Sequence, residues 1–600
     1  MTIKTALLCL GLSLSSFPFA RAQTSTSSAA PAPVAAATSA APVKPPTAQA
    51  YVAVEPRVQT SFGQTMVPIR FFADALGASV GPMALSSGQN LWRITYFGQT
   101  ADLYPYQNGA RLNERSVSLL AQPMTFGGTL YVPFPELAEF FGIKWKLLKN
   151  SASRDVMLLQ YPAAFIQNVR HANTGDKVRV VMELSNPTRV VAAQNKLDVQ
   201  FLLAAARRAN VATVTPVNDY LVPRVVTRTG NWQGTVSVRL NYQAPVRWFT
   251  MGNPPRLVID LQRLFEESSQ SSLGGGLTLS RIRRGTLHGP VQMFLIRVDP
   301  REGWRVRPEP AGFSSLQRTR VSTMARRAKS LVAVNGGFFA YDGAAVGAVM
   351  RAGEWIRLPW KGRTALGFLP DGSARIGNLQ THARAEFSGG QNIPVRDLNG
   401  WPDRNGVTAL TRRFRSYYKL RAGEIAVVVT NGVVSAKPGS GGVAVPANGF
   451  VLVAGGGAVP VLNQVSRGMK VNLKVQPIGW PTLLGALGGG PRLVNNGQVH
   501  VTALREDFRS DVRVGLGPRT AFGIDREGRF LILVADGRQK YYSTGLTLTE
   551  LAQTLRKFGA VDALNFDGGG STAMVVRGKV INRPSDGRER AVANALIVTR

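Results

Sequence analysis

Cysteine and histidine are scarce in this sequence of 600 residues. Its one cysteine, Cys9, lies within the first 22 residues, which are interpreted below as a removable leader. Without that segment the chain forms no disulfide and carries no thiol nucleophile, so its folding does not depend on an oxidising compartment. The four histidines are far apart in sequence and show no metal-ligating spacing. They are His171, His288, His382 and His500.

Long apolar runs are also missing. The run from Ala6 to Leu14 follows Lys4 and precedes Ala20-Arg21-Ala22, a small-x-small pattern. This combination predicts a signal peptide over residues 1–22, cleaved after Ala22. The run is shorter than the ~20 residues that span a bilayer, and no later run replaces it. We therefore expect an exported protein of the periplasm, cell envelope or extracellular space, with no transmembrane segment after cleavage.

Acidic residues are few compared with basic ones. Lysine and arginine number 71 against 35 acids, a formal charge of +36 that becomes +34 without Lys4 and Arg21. Such an excess attracts polyanions, and for an exported chain these are anionic cell-wall or exopolysaccharide polymers. The basic residues are spread along the chain without a zinc-finger or RNP-like pattern, so no nucleic-acid partner is expected. General solubility explains the charge equally well.

Chain length and composition predict several domains, because single cores stop growing near ~250–300 residues. Residues 23–50 are rich in Ala, Pro, Ser and Thr and read as a linker, as does the Ser/Gly-rich segment 267–276. Between and after them we expect a stalk-like α+β domain at 51–158, an all-β sandwich-like domain at 159–266 and a large domain at 277–600. The last is expected to be α+β, with helices on a mixed sheet.

An internal repeat marks the first of these domains. The segment from Val67 to Gly77 (VPIRFFADALG) recurs from Val132 to Gly142 (VPFPELAEFFG). Each copy predicts a strand end and a short amphipathic helix that glycine ends, with a further strand after it. The pattern resembles the copper-amine-oxidase N-terminal-like domain, a stalk module of bacterial envelope proteins. The name implies no copper here, since no histidine cluster accompanies the pattern.

Two strand motifs mark the second domain. VRVVMEL from Val178 to Leu184 precedes an Asn-Pro turn, and NPPRLVIDL from Asn253 to Leu261 closes the segment. The pairing resembles the AMIN domain, and that resemblance implies binding to wall polymer. A plain β-sandwich spacer is the alternative.

Three apolar strands of the last domain end in the same way. LVAV runs into Asn335-Gly336, LILVA into Asp536-Gly537-Arg538, and ALNF into Asp567-Gly568-Gly569-Gly570-Ser571. Glycine allows sharp turns and close approach of a ligand, and a glycine run exposes N–H groups that cradle an anion. Any one of these dipeptides is an ordinary turn. Three of them together, with a glycine triplet, indicate a site.

A helix joins the last two of these strands. Thr547 and Glu550 form a capping box, and Leu551, Leu555 and Phe558 give the buried stripe that Gly559 ends. If the two strands run parallel, Asp536 and Asp567 lie at one edge of a sheet. Two carboxylates there could divide acid and base roles in glycosyl transfer.

The final loop adds charged residues. Asp586, Arg588, Glu589 and Arg590 lie between a hairpin and a closing strand that contains Asn594. Paired guanidinium contacts from such a loop suit a phosphate. A solvated loop with internal ion pairs is the alternative interpretation.

These segments, with GGGPRLVNNGQV and GPRTAFGID, resemble the phosphodiester glycosidase family in order from about residue 331 to 598. One difference is Phe566, where the family usually has leucine. The resemblance implies hydrolysis of a glycosyl-1-phosphodiester. It carries the following probable site positions: Asn335, Arg519, Thr520, Asp536, Asp567, Gly568, Gly569, Ser571, Asp586, Arg590 and Asn594.

Our assignment of roles goes further than the resemblance. We expect Asp567 and Asp536 to be catalytic carboxylates, with Glu589 as the third candidate. The expected substrate-binding residues are Asn335, Gly336, Arg519, Thr520, Arg538, Gly568, Gly569, Gly570, Ser571, Asp586, Arg590 and Asn594. No cofactor pattern is evident, and a divalent cation stays open. A non-catalytic envelope scaffold that binds anionic wall polymer is the alternative function.

Overall fold

A computed structural model describes residues 51–84, 90–150, 152–209, 211–230, 233–360 and 362–600. The predicted signal peptide (1–22) and first linker (23–50) lie outside the described residues. The described chain is multi-domain and rich in strand. Within those ranges, no helix combines the length and apolar character needed to cross a bilayer.

The described residues of the N-terminal region form twelve strands and two short helices. Its strands are β1 (Tyr51–Val54), β2 (Gln59–Ser61), β3 (Gln64–Pro68), β4 (Ser79–Ala84), β5 (Asn90–Tyr96), β6 (Gln99–Leu103), β7 (Gly109–Leu112), β8 (Arg115–Ser118), β9 (Met124–Phe126), β10 (Thr129–Pro133), β11 (Lys144–Lys149) and β12 (Asp155–Gln160). Its helices are α1 (Phe71–Leu76) and α2 (Phe134–Phe140).

The sequence repeat appears as two strand–helix–strand units. Strand β3 leads into α1 and β4, and strand β10 leads into α2 and β11. Gly77 and Gly142 follow the two helices with φ of 72° and 69°, a left-handed conformation that favours glycine. Strands β3 and β10 pair antiparallel, with Val132 opposite Val67. The two copies therefore pack side by side, and the strand–helix–glycine prediction is confirmed.

The central region is two five-stranded sheets, in the orders β17-β13-β14-β22-β21 and β15-β16-β20-β19-β18. Its strands are β13 (Ala164–Asn173), β14 (Lys177–Leu184), β15 (Val190–Asn195), β16 (Asp198–Ala204), β17 (Ala206–Arg208), β18 (Val214–Pro216), β19 (Arg224–Gly230), β20 (Gln233–Arg239), β21 (Val246–Met251) and β22 (Arg256–Gln262). The two motif strands, β14 and β22, pair with each other.

One hydrophobic core runs through both regions. It includes Phe72 and Phe134 from the two repeat helices and Phe201, Val236 and Ile259 from the central strands. Since apolar side chains of both regions bury one another, the N-terminal and central regions form one packed body.

The C-terminal region holds the remaining strands and four helices. Its strands are β23 (Phe265–Gly274), β24 (Leu277–Thr286), β25 (Gly289–Val298), β26 (Arg305–Pro310), β27 (Val332–Asn335), β28 (Val349–Arg351), β29 (Glu354–Arg357), β30 (Thr364–Phe368), β31 (Ala374–Asn378), β32 (Thr381–Phe387), β33 (Asn392–Pro394), β34 (Asp397–Leu398), β35 (Val407–Leu410), β36 (Tyr417–Lys419), β37 (Ile425–Thr430), β38 (Val433–Ala436), β39 (Gly442–Ala444), β40 (Gly449–Ala454), β41 (Val471–Pro477), β42 (Gly485–Gly488), β43 (Arg492–Asn495), β44 (Gln498–Val499), β45 (Arg519–Asp525), β46 (Phe530–Ala535), β47 (Ala560–Asn565), β48 (Met574–Val576), β49 (Lys579–Val580) and β50 (Asn594–Thr599). Its helices are α3 (Val321–Arg327), α4 (Val459–Asn463), α5 (Ser510–Val514) and α6 (Leu548–Lys557), with 3₁₀ turns at Pro300–Glu302, Gly456–Ala458 and Gly569–Ser571.

Four layers build the part of this region that carries the site. The large sheet has the order β23-β24-β25-β46-β45-β47-β43-β44, and a second sheet has the order β26-β50-β27-β48-β49. The two sheets face each other across one core. Helix α6 covers the outer face of the large sheet, and helix α3 covers the outer face of the second. Both sheets are thus buried on two sides.

Strand β46 shows why its sequence, FLILVA, is apolar throughout. Phe530, Ile532 and Val534 point into the core between the sheets. Leu531 and Leu533 point the other way, towards Leu551 of helix α6. Because successive side chains of a strand alternate between its faces, a strand buried on both sides needs an unbroken apolar run. The predicted capping box of Thr547 and Glu550 begins α6.

The second predicted linker, 267–276, is wrong. This segment lies in strand β23, which pairs along its length with β24 at the edge of the large sheet, and Ser268 lies opposite Ile282. Backbone hydrogen bonds order the strand, whereas its exposed serine side chains contribute little burial. Gly274, Gly275 and Gly276 all have positive φ and form the hairpin turn between the two strands.

The predicted mixed sheet is also corrected. All neighbouring strands of the large sheet pair antiparallel, as do those of the second sheet. Strands β46 and β47 do run in the same direction, but β45 lies between them and pairs with both. The expected parallel arrangement is therefore reached through an intervening antiparallel strand.

The central region contacts the C-terminal region directly. The rings of Tyr220 and Tyr541 lie 5.2 Å apart between centroids, and the Tyr541 backbone N–H donates to the Tyr220 hydroxyl at 3.4 Å. Arg263 donates to the Leu287 carbonyl at 3.2 Å. The loop between β46 and α6 is therefore braced by a tyrosine from another region of the chain.

Candidate active site

The site lies where three strands of the large sheet share one edge. Arg519 at the start of β45 is opposite Ala535 at the end of β46, and Ala521 is opposite Asn565 at the end of β47. The residues that follow these strand ends, Asp536 and Asp567, therefore emerge on the same side. Rigid strands hold them, which favours a defined site geometry.

The Gly568–Gly570 loop is held tightly against its neighbours. The Gly569 N–H donates to the Pro518 carbonyl at 3.0 Å, and Gly569 has φ of 58°. A Cβ on Gly568 would lie 2.6 Å from that same carbonyl oxygen. A Cβ on Gly570 would lie 2.3 Å from the Asp586 carboxylate and 2.0 Å from an Arg590 nitrogen. The Pro518 carbonyl therefore restricts position 568 to glycine, and the positive φ favours glycine at position 569. At position 570 the backbone lies directly against the Asp586 and Arg590 side chains.

Asp567 is the carboxylate of this loop that faces open space. It is partly buried, and its Oδ1 accepts a hydrogen bond from the Gly568 N–H at 2.9 Å. Burial raises the pKa of Asp567 to about 6, although the Gly568 N–H, the nearby Ser571 hydroxyl and Arg590 oppose the rise. Ser571 Oγ lowers this pKa without making a well-aligned hydrogen bond. A carboxyl that titrates near neutrality is suited to proton transfer.

A narrow cleft of about 200 Å³ opens on one side of Asp567. Its walls include Phe338, Arg519, Arg538 and the Gly568–Gly570 backbone. The Arg538 guanidinium reaches to 3.0 Å from the Cβ position of Gly569 and has no carboxylate partner among the described residues. Arg538 also has φ of 59°, a strained conformation for arginine that is common at functional sites.

Arg519 forms the inner wall of the narrow cleft. Its guanidinium is buried and donates to the carbonyl oxygens of Leu546, Gly515 and Val512 at 2.9, 2.6 and 3.2 Å. Desolvation, with a smaller contribution from the charge of Arg538, lowers the pKa of Arg519 to about 10. Its hydrogen-bond partners are neutral carbonyls, and the charges of Asp511 and Glu550 act on it only from a distance, so Arg519 adds positive charge to the cleft.

A wide cleft of about 820 Å³ opens on the other side of Asp567. Asp567 and Arg590 line both clefts, so the two join there. The remaining lining residues of the wide cleft come from the loop before α3, the loop after β27 and the final loop. They are Arg318, Arg320, Phe339, Ala340, Tyr341, Asp586, Arg588, Glu589 and Ala591.

Asp536 does not face either cleft, which corrects its prediction as a catalytic carboxylate. Its side chain is buried and accepts from Asn582 Nδ2 at 2.8 Å, from the Arg583 N–H at 2.9 Å and from the Tyr542 hydroxyl at 3.2 Å. Desolvation raises its pKa, and these donors oppose the rise. The Asn582 and Arg583 contacts tie the β46 end to the start of the final loop, and the Tyr542 contact lies within the loop that follows β46. Asp536 is therefore a positioning residue.

The four charged residues predicted in the final loop, Asp586, Arg588, Glu589 and Arg590, line the wide cleft. Arg590 pairs with Asp586 through two guanidinium nitrogens, at 2.8 and 2.7 Å. Glu589 accepts from the Ser322 N–H at 2.7 Å and from its hydroxyl at 2.6 Å, at the N-terminus of α3. Both carboxylate oxygens of Glu589 are therefore engaged at the N-terminus of helix α3. These hydrogen bonds argue against Glu589 as the third catalytic candidate.

Five predicted substrate-binding residues are buried beneath the site instead of facing it: Asn335, Gly336, Thr520, Ser571 and Asn594. Asn335 donates to the Asp567 carbonyl at 2.7 Å, and its Oδ1 accepts from the Thr520 hydroxyl at 2.7 Å. The Gly336 carbonyl accepts from the Asp567 N–H. Asn594 Oδ1 accepts from the Gly337 N–H at 2.8 Å. These residues connect the two sheets under Asp567.

We predict that Asn335→Ala destabilises the C-terminal region by about 3 kcal/mol, because it leaves buried groups of Thr520, Ala573 and Asp567 without partners. Differential scanning calorimetry of the whole protein should show a lower midpoint for the transition of this region. Asn472→Ala, at an exposed position of β41, serves as the control. Equal midpoints for the two variants would contradict the role of Asn335.

Three buried polar atoms around the glycine loop have no partner within the described protein. They are Asn565 Oδ1, Ser571 Oγ and Thr572 Oγ1. Asn565 lines the narrow cleft, and its Nδ2 donates to the Gly490 and Phe566 carbonyls, which fixes its acceptor oxygen. An unpaired buried acceptor costs about 1–3 kcal/mol. Asn565 is therefore suited to accept a hydroxyl or a water from a bound ligand.

Sequence reasoning missed several cleft residues. Asn565 lies two residues before Asp567 and could have been found from that position. Phe338 and Tyr341 follow the Asn335-Gly336 turn and could have been found in the same way. Arg318 and Arg320 lie about 250 residues before Asp567, and no local pattern marks them.

Within the described residues, no group of three or more His, Cys, Asp or Glu could hold a metal ion.

A separate cavity of about 460 Å³ lies elsewhere in this region. Its walls include Arg305, Phe368 and Leu484, and they are mainly apolar. Its one lining carboxylate, Glu354, is paired with Arg413. The cavity contains none of the predicted site residues. The clefts at Asp567 therefore remain the candidate active site.

Family comparisons agree with the geometry of this region. Residues 423–599 match the family model for phosphodiester glycosidase, and residues 47–153 match that for the copper amine oxidase N-terminal domain. The first match contains Asp567, Arg538 and Arg590. The C-terminal part thus carries a phosphodiester glycosidase-like domain, and members of that family are glycosidases.

Individual relatives cover small parts of the chain. The N-acetylglucosamine-1-phosphodiester alpha-N-acetylglucosaminidase of Mus musculus is 36% identical over 110 residues, which are 17% of this chain and 21% of the relative. The SPbeta prophage-derived uncharacterized protein YomE of Bacillus subtilis is 39% identical over 82 residues, 14% and 13% of the two chains. This chain therefore spans about a fifth or less of the relatives' lengths.

A solved structure is similar over most of the chain. The crystal structure of a hypothetical protein from Synechocystis covers 87% of this chain and 96% of its own, with a TM-score of 0.52 and 22% identity. At this identity the similarity concerns the fold alone.

Proposed function

We propose that this protein hydrolyses glycosyl-1-phosphodiesters in anionic cell-wall or exopolysaccharide material outside the cytoplasm. The observation that carries the proposal is Asp567, one carboxyl between two joined clefts, surrounded by arginines and glycine amides. A phosphodiester needs cations and N–H donors for its phosphate and a proton-transfer group at its sugar carbon. The match of residues 423–599 to the phosphodiester glycosidase family supports the same chemistry.

The reaction breaks the bond between the sugar C1 and the bridging phosphate oxygen. Water adds its oxygen to C1, and one water proton is taken up. The phosphate keeps the bridging oxygen and leaves as a phosphomonoester with one more negative charge. In this assignment Arg538 and Arg519 stabilise that growing charge electrostatically.

Asp567 is assigned as the base that takes the water proton. The leaving phosphate receives its stabilisation from arginines and needs no proton, whereas water is a weak nucleophile until a base helps it. A base is most effective when its pKa lies near the working pH, and burial raises the pKa of Asp567 to about 6. Asn565 Oδ1 is placed to orient the water or a sugar hydroxyl.

We predict that kcat/KM rises about tenfold per pH unit below pH 6 and levels off above it. Asp567 acts in this assignment as the ionised carboxylate, so protonation below its pKa of about 6 removes activity. The measurement is a pH–rate profile with a small sugar-1-phosphodiester. Asp511→Asn, at the other carboxylate of the narrow cleft, should keep the inflection. A kcat/KM that falls above pH 6 would make Asp567 a proton donor instead.

The direct test of the proposed function is incubation of the purified protein with a panel of sugar-1-phosphodiesters. Free sugar and phosphomonoester should appear in equal amounts. Polymer binding without hydrolysis, unchanged in Asp567→Asn and weakened by salt, would favour the scaffold function instead.

A further inference from the structure

The wide cleft carries more positive charge than the scissile phosphate needs. Arg318, Arg320 and Arg588 line it, all three are exposed, and none has a carboxylate within 4.0 Å among the described residues. Apart from Asp567, which the reaction uses, the acids of the cleft already have partners, since Asp586 pairs with Arg590 and Glu589 accepts from Ser322. Three guanidinium groups therefore share one cleft without a counterion from the protein.

The sizes of the two clefts point to a substrate that extends through both. The narrow cleft, about 200 Å³, is smaller than the ~300–1,000 Å³ of usual ligand pockets, whereas the wide cleft, about 820 Å³, lies well within that range. Tyr341 stands at the rim of the wide cleft with its side chain 96% exposed. An exposed aromatic face beside polar walls suits a sugar ring, which has an apolar face and hydroxyl edges.

We propose that Arg318, Arg320 and Arg588 form a subsite for a second anionic group of the substrate, beyond the phosphate that is cleaved. This inference rests on the proposed function and narrows its substrate to a glycan that carries repeated negative charges. Guanidinium forks bind phosphate or carboxylate in bidentate fashion, so either group fits the subsite. Binding there places the aglycone in the wide cleft, so that the scissile phosphate lies where the two clefts join at Asp567 and Arg590.

Three small substrates with one sugar-1-phosphodiester in common test the subsite. The aglycone is methyl in the first, 3-phosphoglycerol in the second and glucuronic acid in the third. For the wild type, a second anion should lower KM on the order of tenfold relative to methyl, the effect of one charged hydrogen bond. If only the 3-phosphoglycerol aglycone lowers KM, the natural substrate is a phosphate polymer. If only the glucuronic acid aglycone lowers KM, the natural substrate is a uronic-acid polymer.

The variant R318A/R320A/R588A should bring the ratio of KM values between methyl and anionic substrates close to one. R224A/R228A/R247A removes three exposed arginines from the central region and should keep the wild-type ratio. The wild-type ratio should also fall as salt concentration rises. A merely structural role for the three residues would change KM for all substrates alike.

Two failures are distinguishable. If the wild type hydrolyses the methyl diester but gains nothing from a second anion, the subsite is overturned while the proposed function stands. If no diester is hydrolysed, the proposed function fails. Calorimetric binding of poly(glycerol phosphate) then tests the arginines independently of turnover, and equal affinity of wild type and R318A/R320A/R588A would overturn the subsite.

Discussion

Asp567→Asn should lower kcat on a sugar-1-phosphodiester on the order of 10²–10⁴-fold, the usual effect of losing a general base. The asparagine has nearly the same shape and can still accept from the Gly568 N–H, so the loop should keep its conformation. What it loses is the ability to take a proton. Steady-state kinetics with release of free sugar gives the measurement, and an unchanged thermal midpoint shows that the variant is folded.

Asp536→Asn is the matched comparison. Asp536 is also an aspartate after a strand of the large sheet, and burial raises its pKa too. It has no side-chain atom in either cleft, so its replacement should reduce kcat far less than that of Asp567 and should mainly lower the thermal midpoint. Equal losses of kcat in folded proteins would return Asp536 to the catalytic role that the sequence suggested.

Arg538→Ala should lower kcat/KM on the order of 10²–10³-fold, comparable to removal of one preorganised donor at a developing negative charge. Arg538 is the guanidinium nearest to the glycine loop that has no carboxylate partner among the described residues. Arg538→Lys should recover part of the loss, because lysine restores the charge without the planar fork. The measurement is kcat/KM with the methyl diester.

Arg526→Ala controls for the loss of one positive charge. Arg526 is exposed in the turn between β45 and β46, at the end of the strands away from Asp567. It should leave kcat/KM close to the wild-type value. A similar loss in both variants would mean that net charge, rather than the position of Arg538 in the narrow cleft, supports the reaction.

The rule that polar residues follow buried strands pointed to Asp567 and its glycine loop, and these residues line a cleft. The same rule misjudged Asp536, because its burial depends on Asn582 and Arg583, which approach from a later loop. Local sequence shows which polar residue follows a strand, whereas tertiary contacts decide whether the side chain of that residue is accessible to a ligand. Asn335 is a second example, because its side-chain amide is hydrogen-bonded to Thr520 and Asp567 beneath the site.

Composition was a weaker guide than periodicity. The repeat at Val67–Gly77 and Val132–Gly142 predicted its strands and helices, since apolar spacing and glycine determine them locally. The serines of 268–272 suggested a flexible linker, but strand β24 offers them backbone partners. Arg318 and Arg320 reach the cleft through the packing of α3 on the second sheet, a contact that no neighbouring residue encodes.

Only Arg263 and Leu264 separate the last strand of the central region from the first strand of the C-terminal region. The contact of Tyr220 with Tyr541 adds a second connection between the two regions, on the loop that follows β46. Under the proposed function, a polymer bound to the central region would therefore lie at a restricted distance from Asp567, and that distance would limit which of its linkages reach the carboxyl.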